Sequence, residues 1–133
     1  MTQGKRTGIE LRRDDSGQGP IVTGFQGSGF RVRDDVFPTG LLLSPVRALA
    51  WQDAPGIDAL THDALGDLFD IDPRPEFLLL GTGSGLRQPP RSFVRHVESL
   101  GFGVEVMDSR AAARAWGVLR AEERWIVAAL LPL

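Results

Sequence analysis

Apolar and polar residues alternate in the first half of the chain. Phe30 and Val32 flank Arg31, and such alternation is typical of a strand with one buried and one solvent-facing side. The Gly-rich stretch at residues 27–29 predicts the turn of a β-hairpin whose second strand carries these residues. Two further short strands are predicted over residues 40–43 and 46–51, with a Ser-Pro break between them. We therefore predict a run of antiparallel strands in this half.

Helical spacing of apolar residues replaces this alternation in the second half. Apolar residues at positions 60, 64, 65, 68 and 69 predict an α-helix that is capped by Thr61 and ends before Pro73. A second helix is predicted between Pro90 and Gly101, and its expected buried face is Phe93, Val94, Val97 and Leu100. A third helix begins at Ser109, its expected N-cap, and its inward-facing residues are Ala112, Trp116 and Leu119.

Strands are predicted before, between and after the last two helices, over residues 77–80, 104–107 and 125–131. The order strand–helix–strand–helix–strand implies parallel neighbours joined by right-handed crossovers. We therefore predict a single α/β domain over residues 21–133, with a mixed central sheet, antiparallel strands first and a βαβαβ unit last. Residues 1–20 are polar and lack sustained periodicity, so they are predicted to form a flexible N-terminal arm.

The composition of the 133-residue chain excludes several classes of protein. A formal net charge of −2 gives no basic excess for binding nucleic acid. The absence of cysteine excludes disulfides and thiolate sites, and His62 and His96 lack ligand spacing, so we expect surface histidines, no metal and no cofactor. No apolar run is long enough to span a membrane. Lys5 is the single lysine among 15 basic residues, which points to a GC-rich bacterial genome, and we expect a cytoplasmic protein.

A Gly-rich turn is the first candidate site. Gly81, Thr82 and Gly83 follow a predicted buried strand and precede a helix, which is where phosphate-binding turns occur. Backbone amides freed by glycine, together with Arg87 and Arg91, could hold an anion there. Alternatively, the glycines only allow a tight turn at the end of a strand. The third glycine of a dinucleotide fingerprint and the Gly-Lys-Ser/Thr of a nucleotide-binding loop are both missing.

A pair of acidic residues is the second candidate. Glu105 lies between two valines in a strand that we expect to be central, where an ionised carboxylate needs a partner. Arg114 or Arg124 could supply that partner in an internal ion pair. The other interpretation pairs Glu105 with Asp108 at the end of the strand for acid–base chemistry.

The last third of the chain combines the Gly-Thr-Gly turn at residues 81–83, an acidic strand end, an Ala-rich helix containing Trp116 and a closing apolar strand. This succession resembles the small α/β domain family that includes the mitochondrial respiratory complex I assembly factor and the adipogenesis-associated domain protein. The resemblance covers most of residues 21–133 and is strongest from Gly103 onward. It implies a compact three-layer fold and accessory or assembly work, without an agreed chemistry.

The helix that begins at Ser109 departs from the family's pattern. Ser109 and Trp116 keep a hydroxyl and an aromatic ring, whereas Ala113, Ala115 and Gly117 stand where the family usually has cysteine, threonine and asparagine. Any catalytic scheme built on those three polar side chains cannot operate here, so we predict that the chain is not an enzyme.

We therefore expect a non-catalytic accessory protein that acts through protein–protein contacts. The resemblance implies a partner that is an assembly factor or a respiratory-complex subunit, in the biogenesis of complex I or another membrane complex. The expected contact surface is the loop from Gly81 to Arg91 with Glu105, Asp108 and Trp116; a buried Trp116 would belong to the core instead. One alternative is a module, or an enzyme of unknown reaction, that binds a small molecule or anion at the turn. Another is a homo-oligomer formed through the apolar C-terminal strand at a sheet edge.

Overall fold

The computed structural model describes residues 19–133, so the predicted arm lies outside the described residues except for its last two positions. Of these, Pro20 is buried, and its carbonyl oxygen accepts a hydrogen bond of 2.8 Å from Trp116 Nε1. The described chain forms a three-stranded sheet, a five-stranded sheet and two α-helices.

The three-stranded sheet is antiparallel and contains β1 (Gly24–Gln26), β2 (Gly29–Val32) and β3 (Asp35–Phe37), in that order. Gly27 lies in the β1–β2 turn with a φ of 60°, a conformation that glycine adopts without steric cost. Phe30 and Val32 are buried. The hairpin predicted from the Gly-rich stretch and the buried face predicted from the alternation are both confirmed.

The five-stranded sheet is mixed. It contains β4 (Leu41–Leu43), β5 (Ala48–Ala50), β6 (Phe77–Gly81), β7 (Gly103–Met107) and β8 (Val127–Leu130). Its order is β5-β4-β8-β6-β7; β4 is antiparallel to β5 and β8, and β6 is parallel to β7 and β8. The predicted mixed sheet is therefore confirmed. However, β8 lies at the centre, so the expectation that the C-terminal strand forms a sheet edge is wrong.

The two helices cover opposite faces of the five-stranded sheet. α1 (Arg91–Ser99) connects β6 to β7, and α2 (Ser109–Ala121) connects β7 to β8. Phe93 of α1 packs in one core cluster, which contains Leu78 and Leu80 of β6. Trp116 of α2 packs in the other, which contains Leu79 of β6 and residues of the three-stranded sheet. This arrangement is the three-layer α/β fold that the family resemblance implied.

Two local expectations for α1 and its neighbourhood require correction. Leu100, predicted on the buried face of α1, is 41% exposed, because the helix ends at Ser99. Phe102 is buried in its place, with its ring centroid 4.4 Å from that of Phe69. Phe102 therefore supplies the apolar contact that the helical spacing assigned to Leu100.

The helix predicted to be capped by Thr61 is not an α-helix. The structure instead has two short 3₁₀ helices, Ile57–Ala59 and His62–Leu65. Thr61 precedes the second, but its side chain makes no capping hydrogen bond, and Gly66 follows with a φ of 58°. The apolar residues at positions 60, 65, 68 and 69 are nevertheless buried. The spacing therefore predicted the buried side chains correctly, but the prediction of an α-helix was wrong.

Candidate functional site

The Gly-Thr-Gly turn at residues 81–83 lies where β6 ends against the start of α2. A Cβ atom on Gly81 would come within 2.8 Å of Ser109 Oγ and 2.9 Å of Leu130 Cδ2, so glycine is needed for α2 to pack this closely. Gly83 has a φ of 102°, which is in the region that favours glycine. Both glycines therefore have structural reasons to be present.

Ser109 connects the turn, the helix and the C-terminal segment. Its side chain is fully buried; the hydroxyl donates to the Leu131 carbonyl oxygen at 2.7 Å and accepts from the Gly83 amide at 2.8 Å. The Ser109 amide in turn donates to the Gly83 carbonyl at 2.8 Å. The residue expected as the N-cap thus has another role, and Asp108 is the N-cap, since its Oδ1 accepts from the Ala111 amide at 2.9 Å.

The backbone donors of the turn are largely used inside the protein. The Thr82 amide donates to the Met107 carbonyl at 2.9 Å. The Thr82 hydroxyl donates to the Gly85 carbonyl at 2.7 Å and accepts from the Arg87 amide at 3.0 Å. Because the Gly83 amide is also bonded, three amides that an anion would need are already occupied. The geometry therefore favours the tight-turn interpretation.

A shallow depression of about 290 Å³ lies beside the turn. Arg87 is at its rim, and its guanidinium lies 3.2 Å from the carboxylate of Asp58 in an exposed ion pair. The negative charge of Asp58 opposes the binding of an anion next to Arg87. Arg91 is exposed on the first turn of α1 and does not line the depression. The residues that line it are Pro55, Gly56, Ile57, Thr82, Gly83, Ser84, Arg87, Leu131, Pro132 and Leu133.

The loop that follows the turn contains a residue that the sequence interpretation missed. All residues from 84 to 88 are exposed, and the side chain of Leu86 is 61% exposed. The sequence did contain a signal for this exposed residue. Leu86 is an apolar residue between glycine and arginine, and no helical or alternating pattern surrounds it. Leu86 and Arg87 place an apolar and a charged side chain together on this surface.

Glu105 does not lie in a central strand. β7 is the edge strand beside β6, and Glu105 is exposed, whereas Val104 and Val106 pack against the core. The internal ion pair expected with Arg114 or Arg124 is therefore wrong, because the Glu105 carboxylate can be solvated. Asp108 caps α2, which gives its carboxylate a structural role in place of the predicted acid–base pair.

Arg124 forms its ion pair with Glu76. Arg124 donates to Glu76 Oε1 from Nε at 2.8 Å and from Nη2 at 2.6 Å, and the Trp125 amide donates to Oε2 at 3.0 Å. The hydrogen bonds from the Arg124 side chain, followed by the one from the Trp125 amide, lower the pKa of Glu76 from its usual 4.5. This pair joins the segment before β6 to the segment before β8.

Trp116 belongs to the core. Its side chain is fully buried, and its Nε1 donates to the Pro20 carbonyl. The expectation that Trp116 contributes to a contact surface is therefore wrong, and its hydrogen bond instead holds the start of the described chain against α2.

Two histidines that are distant in sequence are neighbours in space. The ring centroids of His62 and His96 are 4.8 Å apart, and the rings are stacked. Among residues 19–133, no group of three or more His, Cys, Asp or Glu side chains is arranged to hold a metal ion. No helix in this described part is long and apolar enough to cross a membrane.

These features define a small mixed α/β domain whose candidate site is a structural turn with an exposed loop beside it. The chain belongs to the family of proteins of unknown function DUF498/DUF598, whose model matches residues 22–131. This match, together with the similarity to a complex I assembly factor, confirms the resemblance inferred from the residues.

Relatives of known sequence or structure are similar over most of the chain. An uncharacterised protein of Rhodobacter capsulatus is 32% identical over 112 residues, which is 84% of each protein. NADH dehydrogenase [ubiquinone] 1 alpha subcomplex assembly factor 3 of Danio rerio is 23% identical over 130 residues, which is 98% of this chain and 74% of the relative. A crystal structure of a Bordetella parapertussis protein superposes with a TM-score of 0.75 at 31% identity, covering 86% of this chain and 96% of that one.

Proposed function

We propose that this chain is a non-catalytic accessory protein that binds another protein during the assembly of respiratory complex I or a related membrane complex. The observation that carries the proposal is the similarity to an assembly factor across 98% of the chain, which spans every layer of the domain. The proposal includes a cytoplasmic location, which cell fractionation followed by immunoblotting would test.

The chemistry of the candidate site supports a non-catalytic role. The buried hydroxyl of Ser109 makes two backbone hydrogen bonds, Asp108 caps a helix and Arg87 pairs with Asp58. Each of these groups therefore has a structural task that accounts for its presence. The same hydrogen bonds and ion pair argue against anion binding at the turn.

The proposed contact surface is the exposed loop at residues 84–88 with Arg91 beside it. Leu86 is 61% exposed, and fully burying a leucine side chain contributes about 1.5–3 kcal/mol. Arg87 and Arg91 are both exposed, and arginine side chains are common anchors in protein interfaces. Because Arg87 is already paired with Asp58, Arg91 is the residue that would face an acidic rim around the partner's apolar pocket.

A pull-down from native lysate with quantitative mass spectrometry tests this proposal. Leu86→Ser is compared with Val118→Ser, a matched control because Val118 on α2 is 59% exposed. We expect the wild type and Val118→Ser to recover complex I subunits or a second assembly factor, and Leu86→Ser to lose them. Equal recovery by both variants would remove the loop from the interface. Reproducible absence of any such protein from the wild-type sample would refute the assembly role.

A further inference from the structure

Within residues 19–133, no strand pairs with the outer side of β5, which presents backbone hydrogen-bonding groups. In the described sheet, β5 pairs only with β4. The Ser44 amide donates to the Arg47 carbonyl at 2.9 Å, and the Trp51 amide donates to the Gly40 carbonyl at 3.0 Å. Since hydrogen-bonded pairs alternate along an antiparallel ladder, the backbone N–H and C=O groups of Leu49 also point toward β4. The N–H and C=O groups of the residues on either side of Leu49, at positions 48 and 50, therefore face away from the sheet.

A cavity of about 130 Å³ lies next to this free edge. Its size is close to the roughly 150 Å³ of an apolar protein cavity that holds benzene. Two of its apolar side chains are well exposed, Val46 at 69% and Leu49 at 39%. The cavity can therefore accept a side chain from a strand that adds to β5. Its lining residues are Leu42, Ser44, Val46, Arg47, Leu49, Asp67, Leu68, Asp70 and Ile71.

The charge around this edge selects the kind of strand that can add to it. Asp67 and Asp70 line the cavity, against one basic lining residue, Arg47. The two carboxylates outnumber the one guanidinium in the lining, so the edge favours a partner strand with basic side chains.

We propose that this edge of β5, which has no strand partner among the described residues, binds an extended basic segment of a partner protein by strand addition. The backbone of the segment pairs with residues 48 and 50, an apolar side chain enters the cavity, and a lysine or arginine faces Asp67 and Asp70. In strand addition, main-chain hydrogen bonds supply affinity and side-chain pockets supply specificity. This surface shares no lining residue with the depression beside the Gly-Thr-Gly turn, so the inference does not depend on the function proposed for the loop.

Titration calorimetry with synthetic peptides tests the inference on the full chain. The probe is the eight-residue peptide Thr-Val-Thr-Lys-Thr-Val-Thr-Lys, in which valine and lysine are two residues apart and therefore lie on the same face of an extended strand. The matched peptide replaces lysine with glutamate. We expect only the lysine peptide to bind, and to bind more weakly at high salt. In ¹⁵N NMR spectra of the complex, the amide signals of residues 48 and 50 should shift. Asp67→Asn and Asp70→Asn should each weaken binding by about 1.5- to 5-fold, the range for single exposed ion pairs. Asp63→Asn, which changes an aspartate outside the cavity, should leave the affinity unchanged.

Backbone pairing is tested separately with Ala50→Pro. This variant removes an N–H that faces away from the sheet, so proline is compatible with the edge position, and Ala50→Ser is the control that keeps the N–H. We expect Ala50→Pro to weaken peptide binding about fivefold or more and Leu86→Ser to leave it unchanged. Absence of binding by the lysine peptide, equal binding of the glutamate peptide, or no amide shifts at residues 48 and 50 would overturn the inference. A dimer that Ala50→Pro dissociates would assign the edge to a second copy of this chain and would also overturn it.

Discussion

Replacing Ser109 with alanine removes one oxygen atom from a fully buried side chain. That oxygen donates to the Leu131 carbonyl at 2.7 Å and accepts from the Gly83 amide at 2.8 Å. Alanine leaves both backbone groups without these bonds, and each unsatisfied buried group costs about 1–3 kcal/mol. Because small shifts recover part of this cost, we expect Ser109→Ala to lower the free energy of unfolding by about 2–4 kcal/mol. This is a large fraction of the 5–15 kcal/mol that is typical of a domain.

Urea denaturation followed by tryptophan fluorescence and far-UV circular dichroism measures this change. The midpoint should fall while the m-value stays constant, because the variant exposes the same surface on unfolding. The melting temperature should fall by roughly 4 °C per kcal/mol for a chain of this size. Ser99→Ala is the matched control: its exposed hydroxyl donates to the His96 carbonyl at 2.6 Å, and we expect a change within about 0.5 kcal/mol. A Ser109→Ala variant as stable as this control would refute the structural role of the hydroxyl.

Three further substitutions test the site and its surroundings. Gly81→Ala places a Cβ atom 2.8 Å from the Ser109 hydroxyl and should cost about 1–3 kcal/mol, whereas Gly85→Ala meets no atom within 4 Å and should cost far less in the same urea titration. Because the folded pKa of Glu76 is depressed, its contribution to stability is present above its unfolded pKa and is lost as pH falls through the folded value. In the Glu76→Gln variant, the free energy of unfolding should therefore fall less steeply below about pH 4.5 than in the wild type. An equally steep fall in both proteins would contradict this. Glu105→Gln should leave the unfolding free energy within about 0.5 kcal/mol of wild type, because Glu105 is exposed, and a larger loss would mean that the carboxylate has a structural partner.

The strands were predictable because their patterns are local. Alternation around Arg31 and the continuous apolar run at residues 77–80 report directly which sides of a strand are buried. The prediction of an α-helix at residues 60–69 was wrong because helical spacing of apolar side chains also fits successive 3₁₀ turns. In that segment, Gly66 takes a φ of 58° after a single turn, and the apolar side chains reach the core without an α-helix.

The position of each strand in the sheet could not be predicted from sequence order. The last strand enters between β4 and β6, so Val127–Leu130 is buried on both faces and Gly103–Met107 is left at the edge. This difference moves Glu105 from the expected core position to solvent. The sequences of the two strands nevertheless contained a signal for their positions. β8 is apolar throughout, whereas β7 contains a glutamate, as is typical of a strand with one solvent-exposed face.

The polar groups at the Gly-Thr-Gly turn maintain the fold, so activity is better sought at the surface of this domain. Ser109 and Thr82 bond to backbone groups of the same chain, and the two glycines allow the layers to approach. Two proposed contact regions remain, the loop around Leu86 and the free edge of β5, and they belong to different elements and different cavities. If both proposals hold, one domain can contact two protein segments at once. An accessory protein with that property would promote assembly by raising the effective concentration of one segment near the other, without any chemical step of its own.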